Sequence, residues 1–296
     1  MRRIPHLTSI LQRIFAATAA IAVFLLPLFT PDVRASEPRW YVGLSVPVMF
    51  LDDSESVTSG TIMTPMGPNQ YSASATNEYK AGFKVSGMVG REFGNGFRLQ
   101  VEGFFARANL DKLTYTGISA DALQGVPIEN VDIPVTGPAD QLGAMVNVWY
   151  DFNEGSPWRP FIGGGLGFVQ VDWGGVDYEV GALEQEITLT AQRAGWMHQV
   201  DVNSAIPAGA PCPPTVCSGL PQGTVPDLSG TDTVLAYKVG GGLGYELTNH
   251  ITLQVSYRFF KTRQLKFTGR NDLSNTVTAT SDLQGHLFEV GVRYRF

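Results

Sequence analysis

The sequence predicts an all-β protein, an eight-stranded antiparallel up-and-down transmembrane β-barrel with long extracellular loops. Three observations carry that expectation. First, the stretch His286–Phe296 alternates strictly. Phe288, Val290, Val292, Tyr294 and Phe296 fall on one face, and Leu287, Glu289, Gly291, Arg293 and Arg295 on the other. A strand points successive side chains to opposite faces. A soluble strand of this pattern would bury its apolar face, whereas a barrel strand turns it to lipid and the charged face to the lumen. Second, such segments recur, and the connections between them alternate short and long. Third, the N-terminus has the layout of an export signal.

The leader is the simplest element. Arg2, Arg3 and Arg13 precede an apolar run from Ile14 to Phe29, and Val33-Arg34-Ala35 supplies small residues for cleavage before Ser36. The run is 16 residues long and contains Pro27, short of the roughly 20 residues a spanning helix needs. Residues 1–35 are therefore expected to be a cleaved signal peptide and 36–296 the mature barrel. No cysteine lies near the cleavage site, so no lipid anchor is expected. No later run is long enough to span as a helix. The mature chain is then either soluble or a closed barrel, because only helices and closed barrels satisfy the backbone inside a bilayer.

The strands follow in order. Trp40–Leu51 places Val42, Leu44, Val46, Val48 and Phe50 on one face. The second segment is about Tyr79–Phe93. The third starts at Phe97 and sets Leu99, Val101 and Phe105 against Arg98, Gln100, Glu102 and Phe104. The fourth, about Asp140–Phe152, carries Leu142, Ala144, Val146, Val148 and Tyr150 on one side. The fifth runs from Trp158 to about Trp173. The sixth, Asp232–Glu246, turns Leu235, Tyr237, Val239, Leu243 and Tyr245 outward, and the seventh begins at Ile251. The eighth is the C-terminal strand. Three connections are tight, at Gly94–Gly96, Asn153–Pro157 and Leu247–His250, with the Gly, Asn and Pro of turns. Four are long, at 52–78, 111–139, 174–231 and 264–282. Even strand number, short periplasmic turns and longer extracellular loops are the rule for such barrels. Pro47 interrupts the first strand and is expected at a bulge or the outer rim. Residues 178–199 are weakly periodic. A spanning hairpin there would raise the count to ten.

The inward positions carry both signs of charge. Lys84, Glu102, Lys238, Arg258, Glu289 and Arg293 are expected to form a closed ion-pair network, with Glu92, Arg98, Asp151, Glu246 and Arg295 also facing inward. An eight-stranded barrel is only just wide enough for side chains to fill, and buried charges must be paired. The functional alternative is a charged constriction that selects ions. Removing Arg2, Arg3, Arg13, Arg34 and Asp32 from 21 basic and 27 acidic residues leaves a net charge of −9. That balance argues against nucleic acid as a partner.

Enzyme chemistry finds little support. Cys212 and Cys217, in the longest loop, are expected to form a disulfide in an exported chain. Metal binding is the rival, but two thiols without a third ligand at partner spacing make a poor site, so no metal and no cofactor are expected. His198, His250 and His286 are the mature histidines. His286 lies near Ser281 and Asp282, yet a nucleophile–base set must converge in space, and surface histidines are the expectation. Gly163–Gly165 and Gly240–Gly242 lack a following helix. They read as bends or close packing, not phosphate loops.

With these residues laid out, a resemblance is visible. Val146-Asn-Val-Trp-Tyr-Asp-Phe152, then Pro157-Trp-Arg-Pro-Phe-Ile-Gly-Gly-Gly-Leu-Gly-Phe168, resembles the opacity-protein and OmpA-like family of small outer-membrane barrels, which are porin-like surface antigens. Tyr237–Leu247 with Leu253–Arg258 is similar to that family's penultimate hairpin, and Val290–Phe296 to its closing strand. The likeness covers about 79–296. It implies that Phe296, with Tyr294, is read by the barrel-assembly machinery. The 174–231 loop and its cysteine pair depart from the pattern, and no peptidoglycan-binding domain is expected after Phe296.

The expectation is an integral outer-membrane protein of a Gram-negative cell, monomeric and not an enzyme. Its partners would be outer-membrane lipid and an extracellular ligand at the loops. Its role would be structural and surface-interactive, with the lumen plugged by ion pairs. A narrow porin for small solutes or ions is the alternative, and a surface hydrolase a remote one.

Overall fold

The computed structural model describes residues 38–64, 67–120, 131–152, 156–173, 177–178, 230–270 and 276–296. The described strands are β1 (Arg39–Leu51), β2 (Ser54–Thr64), β3 (Gly67–Tyr79), β4 (Gly82–Glu92), β5 (Phe97–Ala120), β6 (Val131–Asp151) and β7 (Trp158–Trp173). They continue with β8 (Asp177–Tyr178), β9 (Gly230–Glu246), β10 (Ile251–Thr262), β11 (Leu265–Arg270), β12 (Thr276–Ser281) and β13 (Gln284–Arg295).

Eight of these close a ring. β1 pairs with β4, then β5, β6, β7, β9, β10 and β13 follow in antiparallel order, and β13 returns to β1. The closing seam is fully laced, from Tyr41↔Arg295 to Leu51↔Gly285. Closure removes the sheet edges that would otherwise expose unpaired backbone groups. At the short-turn end, Gly94 and Gly96 adopt φ of 73° and 86°. There the Phe93 N–H donates to the Phe97 carbonyl at 3.0 Å, and a Cβ on Gly96 would lie 2.9 Å from the Asp151 carbonyl oxygen. Only glycine fits that turn without strain.

The long connections are built differently from simple loops. Residues 52–78 hold most of the hairpin β2–β3, and 264–282 hold β11–β12. β12 pairs with β2, and β3 pairs with the upper half of β5. Residues 111–120 and 131–139 simply extend β5 and β6 past a register shift between Leu110 and Lys112. The barrel wall therefore continues upward as a second tier. Thr, Val and Ser alternate there as a pleated surface allows, with every second residue of Thr276–Ser281 buried. In the 174–231 connection, Asp177–Tyr178 pairs with Val135 and Thr136 of β6. Residues 174–176 and 179–229 of it, including Cys212, Cys217 and most of 178–199, lie outside the described residues, as does the expected signal peptide.

Pro47 corrects one expectation. It lies neither at a bulge nor at the rim. Ser45 still faces Ser86 and Val48 still faces Phe83, so the register is kept, but pairing between β1 and β4 lapses at 46–47. The β1–β13 ladder runs unbroken through Pro47↔Glu289. The missing donor faces β4, and that seam alone loses its lacing.

The apolar faces point out. Leu44, Phe168 and Val290 are each 63% exposed, amid a continuous band that includes Val46, Ile162, Val255 and Phe288. A contiguous apolar band of this kind is rare on soluble monomers and marks a surface that meets lipid or another protein. Aromatics mark the short-turn border of the band, where Phe97 packs edge-on against Tyr150 and Trp158 against Tyr245.

Candidate functional site

The lumen is the part of the molecule with concentrated chemistry, and it is layered. Strand alternation delivers its charges. Glu102 on β5 is completely buried and receives three cations. Lys84 Nζ of β4 lies 3.0 Å from Oε1, Lys238 Nζ of β9 sits in close contact with Oε2, and Arg258 Nη1 of β10 lies 3.5 Å from Oε2. Asn147 and Gln100 amides donate to the same oxygen at 3.3 and 3.4 Å. Arg258 Nη2 also reaches Glu289 Oε1 of β13 at 2.6 Å. The Lys84 ammonium lies 4.0 Å over the Phe104 ring and the Arg258 guanidinium 4.7 Å over Trp149, contacts that favour a cation.

The structure thus brings Lys84, Glu102, Lys238, Arg258 and Glu289 into one cluster. Arg293 belongs to another, nearer the short-turn end. It lies 2.8 Å from Glu92 and 3.9 Å from Asp151, with its guanidinium 5.5 Å from the Tyr41 ring centroid. Arg98 grips Asp151 with two nitrogens, each at 2.7 Å. Glu246 pairs with Arg159 at 2.8 Å and with Arg295. By formal charge the lower cluster holds Arg98, Arg159, Arg293 and Arg295 against Glu92, Asp151 and Glu246. The upper holds Lys84, Lys238 and Arg258 against Glu102 and Glu289. Each layer carries one excess positive charge.

Above the charged layers the lumen turns apolar. Met49, Leu51, Phe104, Met145, Val169, Val171, Phe260 and Leu287 are buried together, continuing upward through Trp173, Leu265, Phe267 and Leu283. Phe104 meets Phe260 edge-on at 6.4 Å, and Trp173 stacks on Phe267 at 4.5 Å. Sequence reading missed this tier. Its only signal was the doublets Phe104-Phe105 and Phe259-Phe260, in which one ring must point inward.

The glycine runs resolve to close packing. β7 and β9 pass straight through Gly163–Gly165 and Gly240–Gly242 without a break. A Cβ on Gly163 would lie 2.7 Å from the Trp149 ring, and one on Gly240 3.0 Å from Arg258 Cγ. Missing side chains there leave room for the two bulkiest inward groups.

The histidines take surface positions. His286 Nδ1 is 2.7 Å from the Tyr257 hydroxyl, and Nε2 is 3.3 Å from Asp52 Oδ1. Its sequence neighbours turn elsewhere, since Asp282 pairs with Lys261 at 3.0 Å and the Ser281 hydroxyl donates inward to Ser54. Among the described residues, no serine or threonine hydroxyl bonds the ring of His286 or His250. His198 lies outside them. Tyr294 and Phe296 project outward, and the Phe296 N–H donates to the Trp40 carbonyl at 3.1 Å.

A curated outer membrane protein of Gluconacetobacter diazotrophicus is 25% identical over 244 residues, covering 76% of this chain and 49% of the relative. The chain thus spans about half the length of that relative. Similar solved structures include OprG from Pseudomonas aeruginosa (13% identity, 90% of this chain and 99% of that one, TM-score 0.44). Another is Neisserial surface protein A (15% identity, 87% and 97%, TM-score 0.35). The profile of the outer membrane protein beta-barrel domain matches residues 16–296. With that match, the closed ring and the outward apolar band, the chain belongs to the outer membrane protein beta-barrel domain family.

Proposed function

We propose that this outer-membrane protein is a plugged barrel that carries a surface-interactive tier, acting through its extracellular side and not through a pore. The layered lumen carries the reading. The inward charges of the spanning strands are spent on one another, and an apolar layer packs over them. An ion crossing such a barrel would have to break buried pairs and then pass a region that cannot solvate it. The outer tier supports the second half. Residues that bind partners concentrate where a rigid scaffold holds them out, and β2–β3 with β11–β12 form such a scaffold on the long-connection side.

The test is single-channel conductance of the refolded protein in a planar bilayer, with folding verified by heat-modifiable gel mobility. Silence supports the plug. Reproducible steps overturn it and make the narrow-porin reading primary, and the excess positive charge of both layers then calls for anion selectivity. The surface role is tested separately, by deleting residues 179–229 and measuring binding of cells or matrix to the folded barrel. Unchanged binding of every partner tried would remove its support.

A further inference from the structure

The two charged layers of the lumen differ in access. In the upper layer the side chains of Lys84, Glu102, Lys238, Arg258 and Glu289 are each no more than 2% exposed. The lower layer opens at the short-turn end, where the side chain of Arg159 is 16% exposed and that of Glu246 20%. Short turns face the periplasm in barrels of this kind.

The lower layer also has donors left over. Arg159 spends Nη2 on Glu246, Arg295 spends its two terminal nitrogens on Glu92 and Glu246, and Arg293 spends Nη1 on Glu92 and Asp151. The Nε of each of these three guanidinium groups is buried without a hydrogen-bond partner among the described residues. So is the hydroxyl of Thr252, a residue with no solvent exposure. The register sets Thr252 opposite Arg293 on one side and Glu246 on the other, and Arg159 opposite Gly244. Gly244 is an inward position with no side chain. A Cβ there would lie 3.3 Å from the Thr252 methyl, 3.4 Å from the Arg159 carbonyl oxygen and 3.6 Å from Arg293 Nη2. Thr252, Arg159 and Arg293 therefore converge on the space above one glycine.

We propose that this space is a binding site for one small, singly charged anion such as chloride, entering from the periplasmic side. Arg159, Arg293 and the Thr252 hydroxyl hold it. Three features select that ligand. A guanidinium group donates and never accepts, and a hydroxyl can donate, so the unmet groups call for an acceptor. The inward side chains of the layer sum to one excess positive charge, which a single negative charge balances. The space over Gly244 is no larger than a small ion needs. Arginine suits the task because its weakly hydrated guanidinium tolerates burial beside an anion. The bound ion completes the lower layer and couples the stability of the barrel to the anion concentration of the periplasm. The proposal rests on the reading of the lumen as filled. Conductance steps would sink that reading, whereas a silent barrel can still be blind to anions.

The experiment uses the full chain refolded in phosphatidylcholine vesicles. Sodium chloride replaces sodium gluconate in steps at constant ionic strength, so that screening of surface charge does not change. Gluconate is too large for the space over Gly244. The readout is the Tm at which the heat-modifiable folded band is lost. An ion that binds only the folded state stabilises it by mass action, so the Tm should rise as chloride replaces gluconate. Gly244→Ala places a methyl group where the ion sits and should abolish the rise. Thr252→Val, which keeps the shape and removes the hydroxyl, should at least halve it. Ser256→Ala, higher on the same strand, should leave it unchanged. Equal Tm in the two salts would overturn the proposal. So would a rise that Gly244→Ala and Thr252→Val both keep in full, which is a general salt effect, or one that Ser256→Ala removes, which places the ion in the upper layer. Should Gly244→Ala not fold, Thr252→Val alone gives the decision.

Discussion

The Glu102 carboxylate and the Lys238 ammonium, 136 residues apart in the chain, meet in direct contact inside the barrel, both fully buried. Lys84 and Arg258 converge on the same carboxylate. Removing Glu102 would leave three cations facing one another with only Glu289 to balance them. Breaking a buried pair from one side costs about 3–5 kcal/mol, whereas replacing both partners by uncharged groups of similar volume is often neutral. Glu102→Gln is therefore expected to lose about that much in urea unfolding within lipid vesicles, and Glu102→Gln with Lys238→Met to regain most of it. A single variant within about 1 kcal/mol of the parent would mean that the cluster is solvated and not a plug.

Pro47 leaves the β1–β4 seam short of lacing at 46–47, while its register is intact on both sides. The position already has strand geometry, so a residue with an N–H needs no rearrangement to pair. Pro47→Ala should add one ladder bond toward β4, a gain of about 0.5–1.5 kcal/mol. It would be offset in part by the freedom alanine restores to the unfolded chain. Hydrogen exchange of the amides flanking 84–85 checks the cause directly. Slower exchange there, with a raised Tm, is the expected pair of results. A raised Tm without local protection would place the gain in the unfolded state.

Much of this architecture was legible because one face of each spanning strand meets lipid. Phe288, Val290 and Val292 against Glu289 and Arg293 is a period-2 contrast that no other element imitates, and it fixed both the strand and its facing. The same contrast named Lys84, Glu102, Lys238, Arg258 and Glu289 as inward. Where both faces are apolar the contrast vanishes, which hid Met145, Leu287 and Phe260 as an inner tier. The upper hairpins were hidden for another reason. Ser, Thr, Asn and Gly in 54–79 are turn-prone residues locally, and only the partners Thr278 and Thr280 from the far end of the chain turn them into a sheet. Which acid each arginine chooses was equally out of reach. Arg293 joins Glu92 instead of Glu102 through the stagger of the barrel, and a single strand does not reveal stagger.

Tyr79, at the base of the second tier, is held by a hydrogen bond between its hydroxyl and Ser54 Oγ at 2.9 Å. Burial pushes its phenol up to about 12 from an ordinary 10.0. The neutral form is the one the fold prefers. The resulting stability is fully present below the unfolded value, is lost as pH rises from about 10 toward 12, and changes no further above that. Titration of tyrosinate absorbance should show late-ionising phenol, with Tyr79 contributing one group. Tyr79→Phe should reduce the late step by one phenol and lessen the fall in stability between pH 10 and 12. It should cost about 1 kcal/mol at neutral pH through the lost hydrogen bond. A late step of unchanged amplitude after the substitution would show that Tyr79 does not contribute to it.

Phe296 offers a way to separate assembly from stability. Its ring is 64% exposed on the lipid-facing side, it stacks on Tyr294 at 6.4 Å, and its backbone N–H donates to the Trp40 carbonyl. Phe296→Ala keeps that backbone bond and removes a ring that faces lipid in the folded barrel. The refolded variant should therefore match the parent in unfolding free energy within the roughly ±0.5 kcal/mol expected of surface substitutions. If the aromatic is read during insertion, the same variant made in cells should accumulate several-fold less folded protein in the outer membrane, with the shortfall in the periplasm or degraded. Equal accumulation in cells would remove any recognition role from Phe296 and leave Tyr294 as the next residue to test. A parallel loss of refolded stability would instead make the ring a packing element, and the cellular defect its consequence.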